Sequence, residues 1–244
     1  MACWPPPARR SISDRGISAR GAGQRDGGGR APATIALMEI ATLAGPARAE
    51  LDQPPDPAFL LLLTHGAGGG IDAPDLLAAR DAAVALGGAV ARVLQPYRVR
   101  GARAPGAAAG QDAAWLEIAA ALRAWRPGLP LVQGGRSNGA RLACRTAAAA
   151  GARGVLALAF PLHPPGRPER SRAGELRSAA DAGIPVLAVS GDRDPFGVPD
   201  QAAARAGVTV VVLPGRAHAL SGDRAGIGRA VTAWLAGILP EAGG

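Results

Sequence analysis

Residues 131–139 read LVQGGRSNG, and residues 140–150 continue ARLACRTAAAA. An apolar run leads into Gly135-Arg136-Ser137-Asn138-Gly139, and a run of strong helix formers follows. A serine on a sharp strand-to-helix turn is pushed out of the backbone with its hydroxyl exposed, and small flanking glycines relieve the crowding of such a turn. The same turn aims the N-terminus of the following helix, with its unpaired N–H groups, at any anion formed beside the serine. In a chain with 35 Gly and 8 Ser, the five-residue pattern arises by chance about once in six such sequences. Its weight therefore comes from context, which the rest of the chain must supply. A second reading stays open here, in which Ser137 only caps the helix 138–150.

The chain has 244 residues, enough for one α/β domain with a full core. Aromatics make up 3% against 48% hydrophobic residues, so the core falls to Ala, Val, Leu and Ile. All 27 basic side chains are Arg. Without lysine there is no Walker-type phosphate lysine, no Schiff base and no Ser-Lys dyad. The net charge of +8 is split evenly, with six Arg and two acids in residues 1–37 and 21 Arg and 17 acids in residues 38–244. No segment interleaves aromatics with Arg, so nucleic acid is not an expected partner. Cys3 and Cys144 are too few and too distant for a disulfide framework, and His65, His163 and His218 hold no close pair for a metal. No apolar run is long enough to span a membrane, and Arg9-Arg10 leads into polar, Gly-rich sequence rather than a signal core. The expected compartment is the cytoplasm, with no membrane partner.

Residues 1–37 lack periodicity and are expected to be a disordered or misassigned N-terminal extension, or else a flexible basic tail. The single domain is expected over 38–244. A hairpin over 38–42 and 46–51 opens it, followed by strand 59–64, helix 74–87, strand 89–95, an Arg- and Gly-rich loop and helix 111–126. Strand 130–133, helix 138–150, strand 154–160, helix 173–182, strand 185–190, helix 199–206, strand 208–213 and helix 222–239 complete it. Strands alternating with helices of this length predict a three-layer α/β/α sandwich on a mostly parallel sheet, with the hairpin as an antiparallel edge.

In such sheets reactive groups gather at the carboxyl ends of the strands. His65, Ser137, His163, Asp194 and His218 all follow predicted strand ends. A serine nucleophile needs a base, and the base needs an acid to hold it. His218, in LPGRAHALSG, and Asp194, in VSGDRDPFG, supply them, with Asp192 and Asp200 as alternative acids and a plain loop histidine as the alternative for His218. The run HGAGGG (His65–Gly70) offers backbone N–H groups to an oxyanion, with Ala67 and Asn138 as the donors, and His65, Gly66, Gly68 and Arg136 as candidate pocket or loop support. Its rival reading, a phosphate cradle, is weakened by Ile71 standing where the third glycine of the dinucleotide fingerprint belongs. His163 either lines the pocket or makes a structural contact in a proline-rich loop. Arg136, Arg98, Arg100 and Arg103 read either as attraction for an anionic acyl substrate or as solvated surface, the second being the preferred reading. Cys144 reads as a small core residue facing away from the chemistry.

The segments LTHGAGGG, GGRSNGAR, FPLHPPGRPE and VSGDRDPFG together resemble the α/β-hydrolase superfamily over Met38–Leu239. Within it they look like a compact, lidless dienelactone-hydrolase-like branch that includes the hydrolase-like domains of testis-expressed and NSL-complex proteins. The resemblance implies Ser137 as nucleophile, Asp194 as acid and His218 as base, and it implies no cofactor. Dienelactone hydrolases use a cysteine nucleophile, so dienelactone is not carried over as substrate. The expected activity is cleavage of an ester or other acyl bond of a small molecule. A catalytically silent module that binds a protein partner is the alternative.

Overall fold

In the computed structural model, residues 18–19, 34–199 and 207–239 are described. The strands are β1 (Ser18–Ala19), β2 (Thr34–Ile40), β3 (Ala47–Gln53), β4 (Phe59–Thr64), β5 (Gly88–Leu94), β6 (Leu131–Arg136), β7 (Gly154–Leu158), β8 (Val186–Gly191) and β9 (Val208–Leu213). The helices among the described residues are α1 (Pro74–Ala85), α2 (Pro96–Val99), α3 (Ala108–Trp125), α4 (Asn138–Ala150), α5 (Ala173–Asp181) and α6 (Arg224–Ile238).

One sheet runs in the order β1-β2-β3-β5-β4-β6-β7-β8-β9. The first three pairings, up to β3 with β5, are antiparallel and all the others are parallel. This is the three-layer, mostly parallel architecture expected, with its antiparallel edge at the N-terminal side. Strand β4 is buried along its whole length because helices cover both faces. Phe59, Leu61 and Leu63 pack under α1 and α6 with Leu76, Ile227, Val231 and Leu235. Leu60 and Leu62 face the opposite way, toward Trp115, Ile118 and Leu122 of α3. Helix α4 lays Ala140, Ala143, Cys144 and Ala147 against Val155, Ala157 and Ala188, small residues letting helix and sheet approach closely. It ends on Gly151 in the left-handed region (φ 63°), and Arg123 donates to the Ala150 carbonyl at 2.8 Å.

Several boundaries differ from the sequence reading. Strand β2 begins at Thr34, four residues before Met38, because β3 runs on to Gln53 and pairs Thr34↔Gln53. Ser18–Ala19 adds a short strand outside it. The rest of the expected N-terminal extension, and all but Pro199 of the helix expected over 199–206, lie outside the described residues. Strand β6 extends through Gly134 and Gly135 to Arg136, because both glycines are paired to β4 and β7. A Cβ on Gly134 would stand 2.6 Å from the Leu156 carbonyl oxygen, so close strand packing is what the glycine permits. The loop after β5 contains the one-turn helix α2, opened by Pro96. No helix among the described residues is long and apolar enough to cross a membrane.

Strand order reverses about β4, with β5 on one side and β6 on the other. A crevice opens beyond the carboxyl ends of strands at such a point. The HGAGGG loop leaves β4 there, and Ser137 leaves β6.

Candidate active site

Ser137 sits between β6 and α4 at φ 53°, ψ −112°, a conformation an L side chain rarely adopts. Its amide donates to the Leu158 carbonyl at 2.9 Å, which ties the turn to β7. The flanking glycines are there for space. A Cβ on Gly135 would come within 2.7 Å of the Gly139 carbonyl carbon and the Thr64 oxygen, and one on Gly139 within 2.7 Å of the Thr64 and His65 oxygens. The side chain makes no capping bond to α4, which removes the reading of Ser137 as a mere helix cap.

The hydroxyl points at His218 instead, with Oγ 2.9 Å from Nε2. His218 Nδ1 lies 2.8 Å from Asp194 Oδ2. With Nδ1–H donating to the carboxylate, Nε2 keeps its lone pair toward the serine. Asp194 is buried, and its second oxygen accepts from the Phe196 amide at 2.9 Å, so both oxygens are engaged. The Phe196 ring packs on the imidazole, centroids 4.2 Å apart. The loops after β8 and β9 are drawn together at Gly191, where a Cβ would meet the Arg216 carbonyl oxygen at 2.1 Å. Arg193 N–H donates to that same oxygen at 2.9 Å. Of the alternative acids, Asp192 is exposed and its amide bonds to Leu213, while Asp200 lies outside the described residues.

The HGAGGG loop closes the other side. Gly66 approaches so near that a Cβ would be 3.2 Å from the Ser137 Cβ. His65 is fully buried; its Nδ1 is 2.9 Å from the Gly66 carbonyl and its Nε2 accepts from the Gln95 amide at 3.1 Å. Burial lowers its pKa, which keeps the ring neutral and in the tautomer that holds the loop. Gly68 takes φ 68°, and Gly69 N–H returns to the Gly66 carbonyl at 3.1 Å. Ala67 and Asn138 both line the cleft at Ser137, and Asn138 opens α4, so its N–H has no acceptor within the helix. The phosphate-cradle alternative fits poorly, because the next helix opens on Pro74, which has no N–H, and on the buried carboxyl of Asp75. The cleft holds about 310 Å³ and is bordered by Gly66, Ala67, Ser137, Asn138, Phe196 and His218, with Pro161 and three arginines.

A model of the alpha/beta hydrolase domain family matches residues 57–229, well over half of the chain. The chain belongs to the alpha/beta hydrolase family. A search of curated proteins finds no match. Among solved structures, the chain is similar to XC6422 from Xanthomonas campestris, described as an α/β serine hydrolase without a lid. That likeness has 22% identity and a TM-score of 0.65, covering 86% of this chain and 97% of the other. It is also similar to a dienelactone hydrolase from Anabaena variabilis, with 16% identity, TM-score 0.69, and 86% and 100% covered. TT1662 from Thermus thermophilus gives 24% identity, TM-score 0.61, and 86% and 99% covered. At these identities the likeness is one of fold.

Two features of this hydrolase-family site go beyond the sequence reading. Arg136 is not solvated surface: its Nε ion-pairs with Asp75 at 2.8 Å, and its Nη2 donates to the His218 carbonyl at 3.0 Å. Asp75 is fully buried, and burial raises its pKa against the pull of Arg136. The position beside Ser137 thus braces the loop that carries the imidazole. Arg98 donates to the Gly69 carbonyl at 2.9 Å and Arg100 to the Ala44 carbonyl, while Arg103 is exposed. The other feature is Arg141 and Arg172, which border the cleft from α4 and from the start of α5. The sequence signal for Arg141 was its place one turn after the serine, lost among so many other arginines.

His163 does not border the cleft. Its ring lies against Gly197, where a Cβ would be 2.5 Å from Nε2, and its amide donates to the Phe196 carbonyl at 2.9 Å. It braces the Asp194 loop from behind. Cys144 is buried in α4, its thiol pushed up to about 12 by burial, so it carries no thiolate chemistry. Among the described residues no group of three or more His, Cys, Asp or Glu is placed to share a metal ion. A larger groove of about 490 Å³ between β9 and α6 is lined by residues such as Val208, Val211, Ala230 and Trp234 and by no titratable group.

Proposed function

We propose that this chain is a serine hydrolase that cleaves an ester or related acyl bond of a small, soluble molecule through an acyl-enzyme, in the cytoplasm. Ser137 is the nucleophile, His218 the base and Asp194 the acid that fixes the imidazole. The observation that carries the reading is the unbroken relay from Oγ to Nε2 at 2.9 Å and from Nδ1 to the carboxylate at 2.8 Å. In the first half-reaction Oγ attacks the carbonyl carbon while its proton passes to Nε2. The oxygen that gains charge accepts from the amides of Ala67 and Asn138. Collapse of the tetrahedral species returns the proton to the leaving alcohol. Water then repeats the sequence on the acyl-serine, releasing the acid. The compact dienelactone-hydrolase-like branch, with its testis-expressed and NSL-complex members, is the part of the family to which we assign the chain. Short connections around an open cleft support that placement.

An interaction scaffold has no use for a strained serine turn aimed at a correctly held imidazole. The deciding experiment is labelling with a fluorophosphonate together with hydrolysis of p-nitrophenyl esters of graded chain length. Wild type reacts with the probe at Ser137, and Ser137→Ala loses both labelling and turnover, the latter by about 10⁴-fold or more. A wild-type protein that stays unlabelled where ordinary esterases react removes the hydrolase reading.

A further inference from the structure

Charge around the cleft is unbalanced, and the imbalance falls on one side chain. Of the three bordering guanidiniums, Arg136 is paired with the buried Asp75. Arg141 holds Glu175 in a two-point contact at 2.7 and 2.6 Å. Glu175 also receives Arg145, which in turn grips Asp112 at 2.6 Å. Arg136, Arg141, Arg145 and Arg172 therefore face three carboxylates, those of Asp75, Asp112 and Glu175. Arg172 is the surplus cation: no carboxylate among the described residues ion-pairs with it, and Glu175, already held by Arg141 and Arg145, acts on it only from a distance. Its backbone is pinned by a 2.7 Å bond from its amide to the Leu162 carbonyl, while its guanidinium has only a long 3.5 Å contact to the Pro161 carbonyl. Burial, and then the neighbouring Arg141 and Arg170, lower its pKa against a weaker opposing pull from Glu175. A guanidinium that cannot give up its proton, partly desolvated beside another, loses stability unless an anion joins it. No carboxylate borders the cleft to play that part; Asp194 lies behind the imidazole with both oxygens occupied.

We infer that Arg172 is an anion subsite of the cleft, and that the substrate is an acyl compound bearing a second, ionised carboxylate, such as the monoester of a dicarboxylic acid. The inference rests on the hydrolase reading. The planar fork of Arg172 matches a carboxylate in two-point geometry, and the Ser137 hydroxyl then meets the ester carbonyl of the same molecule. The bound anion completes the local charge balance that the protein leaves open.

The test compares a p-nitrophenyl ester of glutarate, whose acyl chain ends in a carboxylate, with p-nitrophenyl valerate, its neutral counterpart of equal length. Wild type is expected to favour the anionic ester by about 10- to 100-fold in kcat/KM, the worth of one charge-assisted hydrogen bond, mostly through KM. The preference shrinks as salt is raised. Arg172→Gln lowers the ratio at least about tenfold, and Arg172→Lys retains part of it because the charge remains. Free glutarate slows fluorophosphonate labelling of Ser137 in wild type more than in Arg172→Gln, which reads the subsite without turnover. A ratio near one in wild type, or an unchanged ratio in Arg172→Gln, overturns the anion subsite and leaves the hydrolase reading standing. Where neither ester turns over but Ser137 is labelled, absence of glutarate protection overturns it. Where Ser137 is not labelled and neither ester is cleaved, both readings fall.

Discussion

A serine at φ 53°, ψ −112° holds strain of about 1–3 kcal/mol that its surroundings must offset. What offsets it is visible in the neighbours. Gly135 and Gly139 let the turn close against Thr64 and His65, and the Ser137 amide is bonded to β7. The turn is therefore sensitive to single methyl groups. Gly139→Ala puts a Cβ 2.7 Å from two carbonyl oxygens of the neighbouring strand end, neither of which can swing away as a side chain can. We expect it to lose about 1–3 kcal/mol in chemical denaturation and to slow labelling of Ser137, since the backbone must shift to relieve the contact. Unchanged stability in Gly139→Ala would mean that the turn is looser than its geometry says. Ser137 itself was legible in the sequence because glycines at both flanks, after an apolar run and before a helix, have few other uses. Arg136 was left between loop support and solvated surface, because nothing in a chain with 27 arginines marks which of them turns inward.

At the scale of elements, α4 and α5 are joined on one side by packing of Leu176 and Ala179 against Ala143 and Cys144. On the other they are joined by ions, Glu175 receiving both Arg141 and Arg145. Burial alone would raise the Glu175 carboxyl, but the two guanidiniums outweigh it and hold its pKa below the ordinary value of 4.5. A carboxyl more acidic in the folded chain than in the unfolded one stabilises the fold fully above about pH 4.5, and the contribution is lost as pH falls through the lower, folded value. Glu175→Gln should therefore be less stable than wild type by about 1–2 kcal/mol near neutrality, a figure discounted for partial exposure. Thermal unfolding from pH 8 down to pH 3 should show the two proteins converging at the acid end. A gap that stays constant would place the stabilisation in packing rather than charge. Element types were legible for β4, α4 and β9, where apolar runs and helix formers are unbroken, and their bounds agree with the structure. The ends of β2 and β6 were not, because their extent follows from the length of the partner strands and from how near a neighbour's backbone comes.

Across the whole molecule, the three groups of the relay come from positions 137, 194 and 218 and meet only because three strands of one parallel sheet end on the same side. In the hydrolase reading, activation of the serine is then a property of the assembled sheet rather than of any peptide. In a urea titration, the rate of fluorophosphonate labelling and the far-UV circular dichroism should fall with a common midpoint. Labelling that survived the loss of secondary structure would show Ser137 reactive without its partners. Labelling lost well before it would mean that the loops after β8 and β9 open ahead of the sheet.

By itself the sequence determined the layer order, the mostly parallel sheet and the strand end that carries each polar residue. Those follow from alternation of short apolar runs with longer helical ones, which is a local property of the chain. The tertiary structure alone decided which side chains touch: that the second carboxylate of the 190s loop, and not the first, meets the imidazole, that His163 supports from behind, and that Arg172, bordering the cleft of Ser137, makes no ion pair. Distances between residues far apart in the chain depend on how closely layers pack. That closeness is set by the sum of all core contacts, which no short stretch of sequence records.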